Sequence, residues 1–326
     1  MGSDREEAER LNARLFPAKK FAEMKTPRFE VSRRGKVPII DFKGPLSPGS
    51  RVSILAQADE HFDNVHAQQD KIRSHMQEAV DNGWPIVKLG DSLCLMGGTG
   101  DRRADKSDLR PEHKSGDYID AVVNDYAQFC SFAAPNIALI APGNHELSIK
   151  TRCETDVIER IAEQWRQIGS PVHVGGIGGW ILVRINVTAT ATFMVPIFYH
   201  HGHGGGGMGR GTGHANKRAL YLPDAQVVIS GHIHEEWVQT ICRDRINLKT
   251  ARTFIDESTH VVTGTYKQEY LPHESTWHCK NGRPPKPIGG TWLDLVIRKE
   301  WDERTKSGKT ARLPRYCATV DIRRAK

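Results

Sequence analysis

Residues 52–61 read Val-Ser-Ile-Leu-Ala-Gln-Ala-Asp-Glu-His. A strand-length, mostly apolar run breaks off into two ligand-type side chains around a Glu. That is the pattern of a buried strand delivering chemistry at its carboxyl end. The device recurs four times. Pro85–Leu89 runs into Gly90-Asp91, Asn136–Ala141 into Gly143-Asn144-His145-Glu146, Thr192–Tyr199 into His200-His201-Gly202-His203, and Gln226–Ser230 into Gly231-His232-Ile233-His234. In open α/β sheets ligands bind outside the carboxyl ends of the strands, so five such ends can converge on one point. Any one of these blocks arises by chance; the ordered set of five, each after an apolar strand, rarely does.

Helical periodicity fills the gaps between the early strands. His66–Val80 places Ile72, Met76, Ala79 and Val80 on one face, Tyr118–Phe132 follows, and Asp156–Ile168 is closed by Gly169 and Pro171. Trp165 on the last of these reads as core. Beyond residue 170 strands dominate, with Trp180–Val187, Val261–Tyr266, Trp292–Arg298 and Tyr316–Ile322 added to those above and one helix at His214–Leu220. Alternation followed by strands predicts an α/β (α+β) protein with sheets packed together and helices outside. The 326 residues allow one large domain or two. No linker composition divides the chain, so the expectation is one domain over residues 45–300. A charged extension (1–44, with a short strand at Val37–Phe42) precedes it, and a basic segment (301–326) with a last strand follows.

Composition excludes several classes. No run of 18 apolar residues occurs, so no membrane span is expected. Residues 1–14 carry both signs of charge without an apolar core, unlike a secretory leader. The six cysteines are scattered, with no Cys-x-x-Cys pair, which in a large chain points to reduced thiols rather than disulfides. The expectation is an intracellular, cytoplasmic protein. The formal charge is +7, but Arg298–Lys326 holds ten basic against four acidic residues, so the body is nearly neutral and the end is basic. Such an end suits a polyanion such as nucleic acid, or simply a solvated surface.

Histidine is the unusual count: 15 in all, with six between His200 and His234. Neutral imidazole is the commonest metal ligand. Carboxylates, a carboxamide and imidazoles without thiolate suit borderline divalent metals such as Mn, Fe, Zn or Ni. In an extended segment residues i and i+2 face one side, so Asp59 with His61, and His232 with His234, are expected to present paired ligands. The glycines at 90, 143 and 231 permit tight turns and close backbone approach.

The ordered blocks Asp59-x-His61, Gly90-Asp91, Gly143-Asn144-His145-Glu146, a histidine near 201 and Gly231-His232-x-His234 resemble the calcineurin-like metallophosphoesterase superfamily. The resemblance spans about residues 50–235. It implies a double β-sandwich flanked by helices and two divalent metal ions, with Mn first in line. Asp59, His61 and His234 would hold the first ion, and Asn144, His201 and His232 the second. Asp91 would bridge both, and His145 would stabilise the phosphoryl transition state or protonate the leaving oxygen. In members with His-Gly at the lone-histidine position the residue before Gly is the ligand, which points to His201, with His200 the alternative. A water bridging the two ions would become the nucleophile for in-line displacement.

Other residues are candidates for substrate contact: Arg102, Arg103, Lys106 and Arg110 in the loop after Asp91, and His203, Arg210, Lys217 and Arg218. The glycine-rich Gly202–Gly213 reads as a flap or a flexible loop, and Tyr266, Tyr270 and Trp277 as a pocket wall. The stretch Gly90-Asp91-Ser92-Leu93 lacks the Asp-Arg-Gly extension of the protein phosphatases. No tyrosine ligand of the purple acid phosphatase kind is evident. The expected activity is hydrolysis of phosphodiester bonds in nucleic acid or a nucleotide. A phosphomonoesterase and a non-catalytic scaffold on the same fold are the alternatives. No oligomeric state is read from the sequence.

Overall fold

A computed structural model of the chain describes residues 27–97, 108–114, 116–204, 208–248, 251–271, 273, 276–306 and 309–325. In chain order the strands are β1 (Phe29–Arg34), β2 (Val37–Phe42), β3 (Arg51–Gln57), β4 (Ile86–Leu89), β5 (Ile137–Ala141), β6 (His173–Val174), β7 (Gly178–Asn186), β8 (Thr192–His200), β9 (Val227–Ser230), β10 (Trp237–Asn247), β11 (Arg252–Val262), β12 (Thr291–Lys306) and β13 (Lys309–Arg324). The helices are α1 (Gln69–Asn82), α2 (Tyr118–Cys130), α3 (Asn144–Cys153), α4 (Val157–Gln167), α5 (Met208–Tyr221) and α6 (Trp277–Lys280).

Two sheets form, in the orders β1-β2-β7-β8-β9-β11-β10 and β13-β12-β3-β4-β5-β6. Strand β3 shows why they stack. Its residues alternate sides, so Ile54 and Ala56 join Val87, Leu89, Val183, Val195 and Ile229 in a core between the sheets. Leu55 points outward to Ile72 and Met76 of α1, Tyr126 of α2 and Trp165 of α4. The result is the double β-sandwich flanked by helices that the sequence implies. Strands β3, β4 and β5 run parallel, as do β8 and β9. Contacts between the residues that follow them, His234 with Asp59 and His201 with Asn144, place all five carboxyl ends at one pole.

Local signals behave as their chemistry dictates. Helix α1 stops where Gly83 takes a left-handed conformation, φ 68°. Helix α4 starts on Asp156, whose side chain accepts from the Glu159 N–H. Trp165 is fully buried, its indole N–H on the Ala127 carbonyl at 3.0 Å.

Three expectations change. The extension expected over 1–44 does not hold from Phe29 onward, because β1 and β2 belong to the seven-stranded sheet and bury Ile39, Ile40 and Phe42; residues 1–26 lie outside the described residues. Strand β2 is the strand expected at Val37–Phe42; β1 was disguised by Glu30, Arg33 and Arg34, all exposed on this edge strand. The boundary drawn at 300 falls inside the β12–β13 hairpin, whose strands pair along their whole length. The glycine-rich stretch is not all loop, since helix α5 begins at Met208. Among the described residues no helix is long and apolar enough to cross a membrane, and all six cysteines are free thiols.

Candidate metal centre

The five strand ends meet. Asp59, His61 and His234 form one group of close donor atoms, and Asp91, His201 and His232 another. In the first, His61 Nε2 lies 3.2 Å from His234 Nε2, and His234 Nε2 lies 3.4 Å from Asp59 Oδ1. In the second, His201 Nε2 lies 3.1 Å from Asp91 Oδ2 and 3.2 Å from Asn144 Oδ1. The His201 and His232 rings sit edge to face, 5.2 Å between centroids. Asp91 and the ring of His145 link the halves: His145 Nε2 is 3.7 Å from Asp91 Oδ2, and its ring is 5.0 Å from that of His61.

The backbone that achieves this differs from the extended pairs expected. Asp59 (φ 54°), His61 (φ 46°), Asp91 (φ 49°), His232 (φ 75°) and His234 (φ 53°) are all left-handed. They account for five of the eight described non-glycine residues with positive φ. That conformation costs an L-residue about 1–2 kcal/mol, and such strain gathers at functional sites. The paired ligands converge through tight left-handed turns, because a straight strand would carry the second residue away from the pole. Gly90 and Gly143 let the β4 and β5 turns touch: a Cβ on Gly90 would lie 2.7 Å from the Gly143 nitrogen and 2.6 Å from His201 Nδ1.

Buried groups beneath the candidate ligands hold these turns, and sequence alone assigns them no role. Glu146 accepts the N–H groups of Gly143 (2.8 Å), Leu93 (3.0 Å) and Asp91 (3.2 Å), which cinches the β4 and β5 loops together. Asp63 accepts from the Leu95 N–H and the Tyr118 hydroxyl. The Asp59 carbonyl takes both the Tyr266 N–H and the Thr265 hydroxyl at 2.9 Å. Glu60, between two ligands, pairs with Lys88 at 2.6 Å in full burial. Cys94 is a further residue without a sequence signature. It is buried within a donor group with His61 and His145, and burial pushes its thiol up to about 12. The only available signal was position: Glu60 between two candidate ligands, Glu146 and Cys94 a few residues after others.

Electrostatics bind the cluster together. Burial opposes the Asp91 carboxylate, yet the facing imidazoles of His145 and His201 hold it far below the usual carboxylate range. Burial likewise opposes a charged His201, but Asp91 carries it up to about 10. Burial lowers His61 well below its ordinary value, and His145, Lys267 and His234 push the same way. Burial, then the charge of Asp91, lifts Glu146 to about 8.

These donors fit divalent cations. His201 donates Nδ1–H to the Leu89 carbonyl at 3.0 Å. In the neutral ring its Nε2 lone pair then faces Asp91 Oδ2 and Asn144 Oδ1, three acceptors with no donor among them. Asp59 Oδ1 is buried without a hydrogen-bond partner. A cation satisfies such acceptors and displaces the proton from a ligand imidazole.

The remaining candidates separate. His200 Nδ1 accepts the Gly202 N–H at 2.8 Å and stands outside both donor groups, whereas His201 is in one. His203 is exposed, its ring 6.2 Å from that of His200. Arg218 reaches Ser230, just before Gly231-His232, at 3.1 Å. Arg110 pairs with Glu112. Arg102, Arg103 and Lys106 lie outside the described residues, as does the side chain of Arg210 on α5. Tyr266 does not wall a pocket. It is fully buried, its hydroxyl between Gln57 and His75.

No family model and no curated protein matches the chain. Solved structures similar to it include vacuolar protein sorting 29 from Cryptosporidium parvum, at 12% identity over 82% of this chain and 99% of that one, TM-score 0.34. Another is a protein of Streptococcus pneumoniae described as a predicted phosphoesterase, at 11% identity over 82% and 99%, TM-score 0.31.

Proposed function

We propose that this chain is a metal-dependent phosphoesterase that uses two divalent ions to hydrolyse phosphodiester bonds in nucleic acid or a nucleotide. The observation that carries the reading is the pair of donor groups, Asp59/His61/His234 and Asp91/His201/His232, with the His145 ring close to Asp91 of one and His61 of the other. Asp59, His61 and His234 would hold one ion and Asn144, His201 and His232 the other, with Asp91 shared. Ions bound there supply Lewis-acid charge at neutral pH and clamp the attacking and leaving oxygens of an in-line displacement.

The chain's own groups do the rest. His145 donates Nδ1–H to the Cys94 carbonyl, which fixes its ring and turns Nε2 toward the pole. From there it can neutralise charge on the transferring phosphoryl group or give a proton to the departing oxygen, a role suited to imidazole near neutral pH. Its main-chain N–H donates to Asp91 Oδ1 at 3.0 Å, so the proton donor and the shared carboxylate are positioned by one another. Glu146 ties together the two turns that carry them.

Turnover of bis-p-nitrophenyl phosphate and of p-nitrophenyl phosphate with added Mn tests this. Faster hydrolysis of the diester is expected. Preference for the monoester would make the chain a phosphomonoesterase. Failure to turn over either, with no metal by elemental analysis, would leave a scaffold. A panel of single-stranded, duplex and cyclic nucleotide substrates then identifies the substrate class.

A further inference from the structure

Two hairpins outrun the sheets that carry them, both in the same direction. Strand β12 pairs with β3 from Thr291 to Val296, and Ile297 still bonds to Ser50. From Arg298 onward its strand partner is β13 alone. Because β12 is antiparallel to β3, this free stretch leaves past the amino end of β3, at the pole opposite Asp59. Strand β11 pairs with β9 only over Thr259–Val262 and runs parallel to it. Its earlier part, with β10, therefore leaves at that same far pole. Arg298–Lys306 reaches about 30 Å at roughly 3.3 Å per residue.

A two-stranded ribbon standing alone is marginally stable in water, so a partner that covers it is favoured. The charge says which kind. Arg298–Tyr316 carries seven Lys and Arg against three Asp and Glu, on a body that is otherwise nearly neutral. Arg298, Lys299, Arg312 and Arg315 are exposed. Lys299 stands opposite Tyr316 and Trp301 opposite Pro314 in the ladder, so these four share one face. The Lys299 ammonium lies 4.5 Å from the Trp301 ring centroid. Trp301 and Leu313 are the only exposed large apolar side chains described on the ribbon, too few for an apolar protein interface. A two-stranded ribbon is also of a size that the DNA major groove, about 12 Å wide, admits.

We propose that the β12–β13 ribbon is a duplex-DNA-binding arm, separate from the metal centre at the other pole. Arg298, Lys299, Arg312 and Arg315 contact backbone phosphates and hold the protein on a duplex. They do not feed substrate to the metal centre of the same chain, because the ribbon points away from it.

The test is fluorescence anisotropy of a short fluorescein-labelled duplex with the full chain in EDTA, at salt between about 50 and 200 mM. Two double variants, R298S/K299S and R312S/R315S, each alter exposed residues of one strand. Each is expected to weaken binding several-fold and the combined variant at least ten-fold. The slope of log affinity against log salt should fall by about 0.9 for each phosphate that the variant no longer neutralises. Turnover of bis-p-nitrophenyl phosphate should be unchanged. This readout separates the arm from the phosphoesterase reading, since binding is measured without metal and turnover without DNA. Absence of binding by the unmutated chain at low salt overturns the proposal, and so does equal affinity in the variants. Tighter binding of single strands overturns it as well. Light scattering that shows an oligomer dissolved by the substitutions, with DNA affinity intact, would make the ribbon a self-association surface instead.

Discussion

Lys88→Met should destabilise the protein and loosen its metal centre together. The Lys88 ammonium is fully buried, 2.6 Å from Glu60 Oε1 and 3.2 Å from Gln57 Oε1. Glu60 is as deeply buried, and its second oxygen accepts the Tyr126 hydroxyl at 2.6 Å. Glu60 lies between Asp59 and His61, and Lys88 precedes Gly90-Asp91, so the ion pair ties two ligand-bearing turns together. Removing the ammonium leaves a carboxylate with one neutral donor and no access to water. Breaking a buried pair by deleting one partner costs about 3–5 kcal/mol. Glu60→Gln keeps the shape and strands the ammonium instead, so it should cost a similar amount. The double variant carries neither charge. Its loss should be smaller than the sum of the singles by about 2–3 kcal/mol, near the upper end of coupling between contacting residues. Urea unfolding in EDTA measures the three values, and elemental analysis after dialysis against Mn counts bound metal. A loss below about 1 kcal/mol for Lys88→Met, or strict additivity in the cycle, would refute the view that this pair is compensated burial.

Asp91→Ala should abolish both turnover and metal retention. His145→Ala should keep the metal and lower kcat by roughly 10²–10⁴, the usual share of a general acid; loss of metal in both would refute the role given to His145. His201→Ala should lose about half the bound metal while His200→Ala keeps all of it, by the same elemental analysis, and the reverse result would move the ligand to His200. Burial, with Arg218 and Arg243 nearby, pushes His260 down to about 4, against about 6.5 in the unfolded chain. The unfolded chain therefore takes up this proton first, so the contribution to stability is whole above about pH 6.5 and is lost as pH falls toward about 4. Urea midpoints across that window should drop more steeply for the native chain than for His260→Gln; parallel curves would discount His260.

Much of the fold was legible because apolar strands of strand length separate helical periodicities, and burial enforces both patterns. Strand β2 was legible at Val37–Phe42, but β1 was hidden by the charges of Glu30, Arg33 and Arg34 on the edge of the sheet. The hairpins β10–β11 and β12–β13 were underestimated because the half-buried side of β10 carries Gln239, Arg243 and Arg245 and the far stretch of β12–β13 is exposed, so no apolar alternation marks them. The site residues were legible by type and order. Their backbone was not: left-handed φ at Asp59 and His234 is a property of turns that neighbours hold in place, and no propensity announces it.

By itself the sequence determined which side chains end the five strands and the chemical kind of site they can make, because donor atoms belong to residue types. Only the tertiary structure decided the rest. It grouped Asp59 with the far-distant His234, placed His201 and not His200 in a donor group with Asp91 and His232, and buried Glu60, Lys88 and Glu146 beneath the candidate ligands. It also turned the basic end away from the metal centre, because the antiparallel pairing of β12 with β3 fixes its direction. Distance along the chain carries no record of distance in space; packing two sheets face to face supplies it.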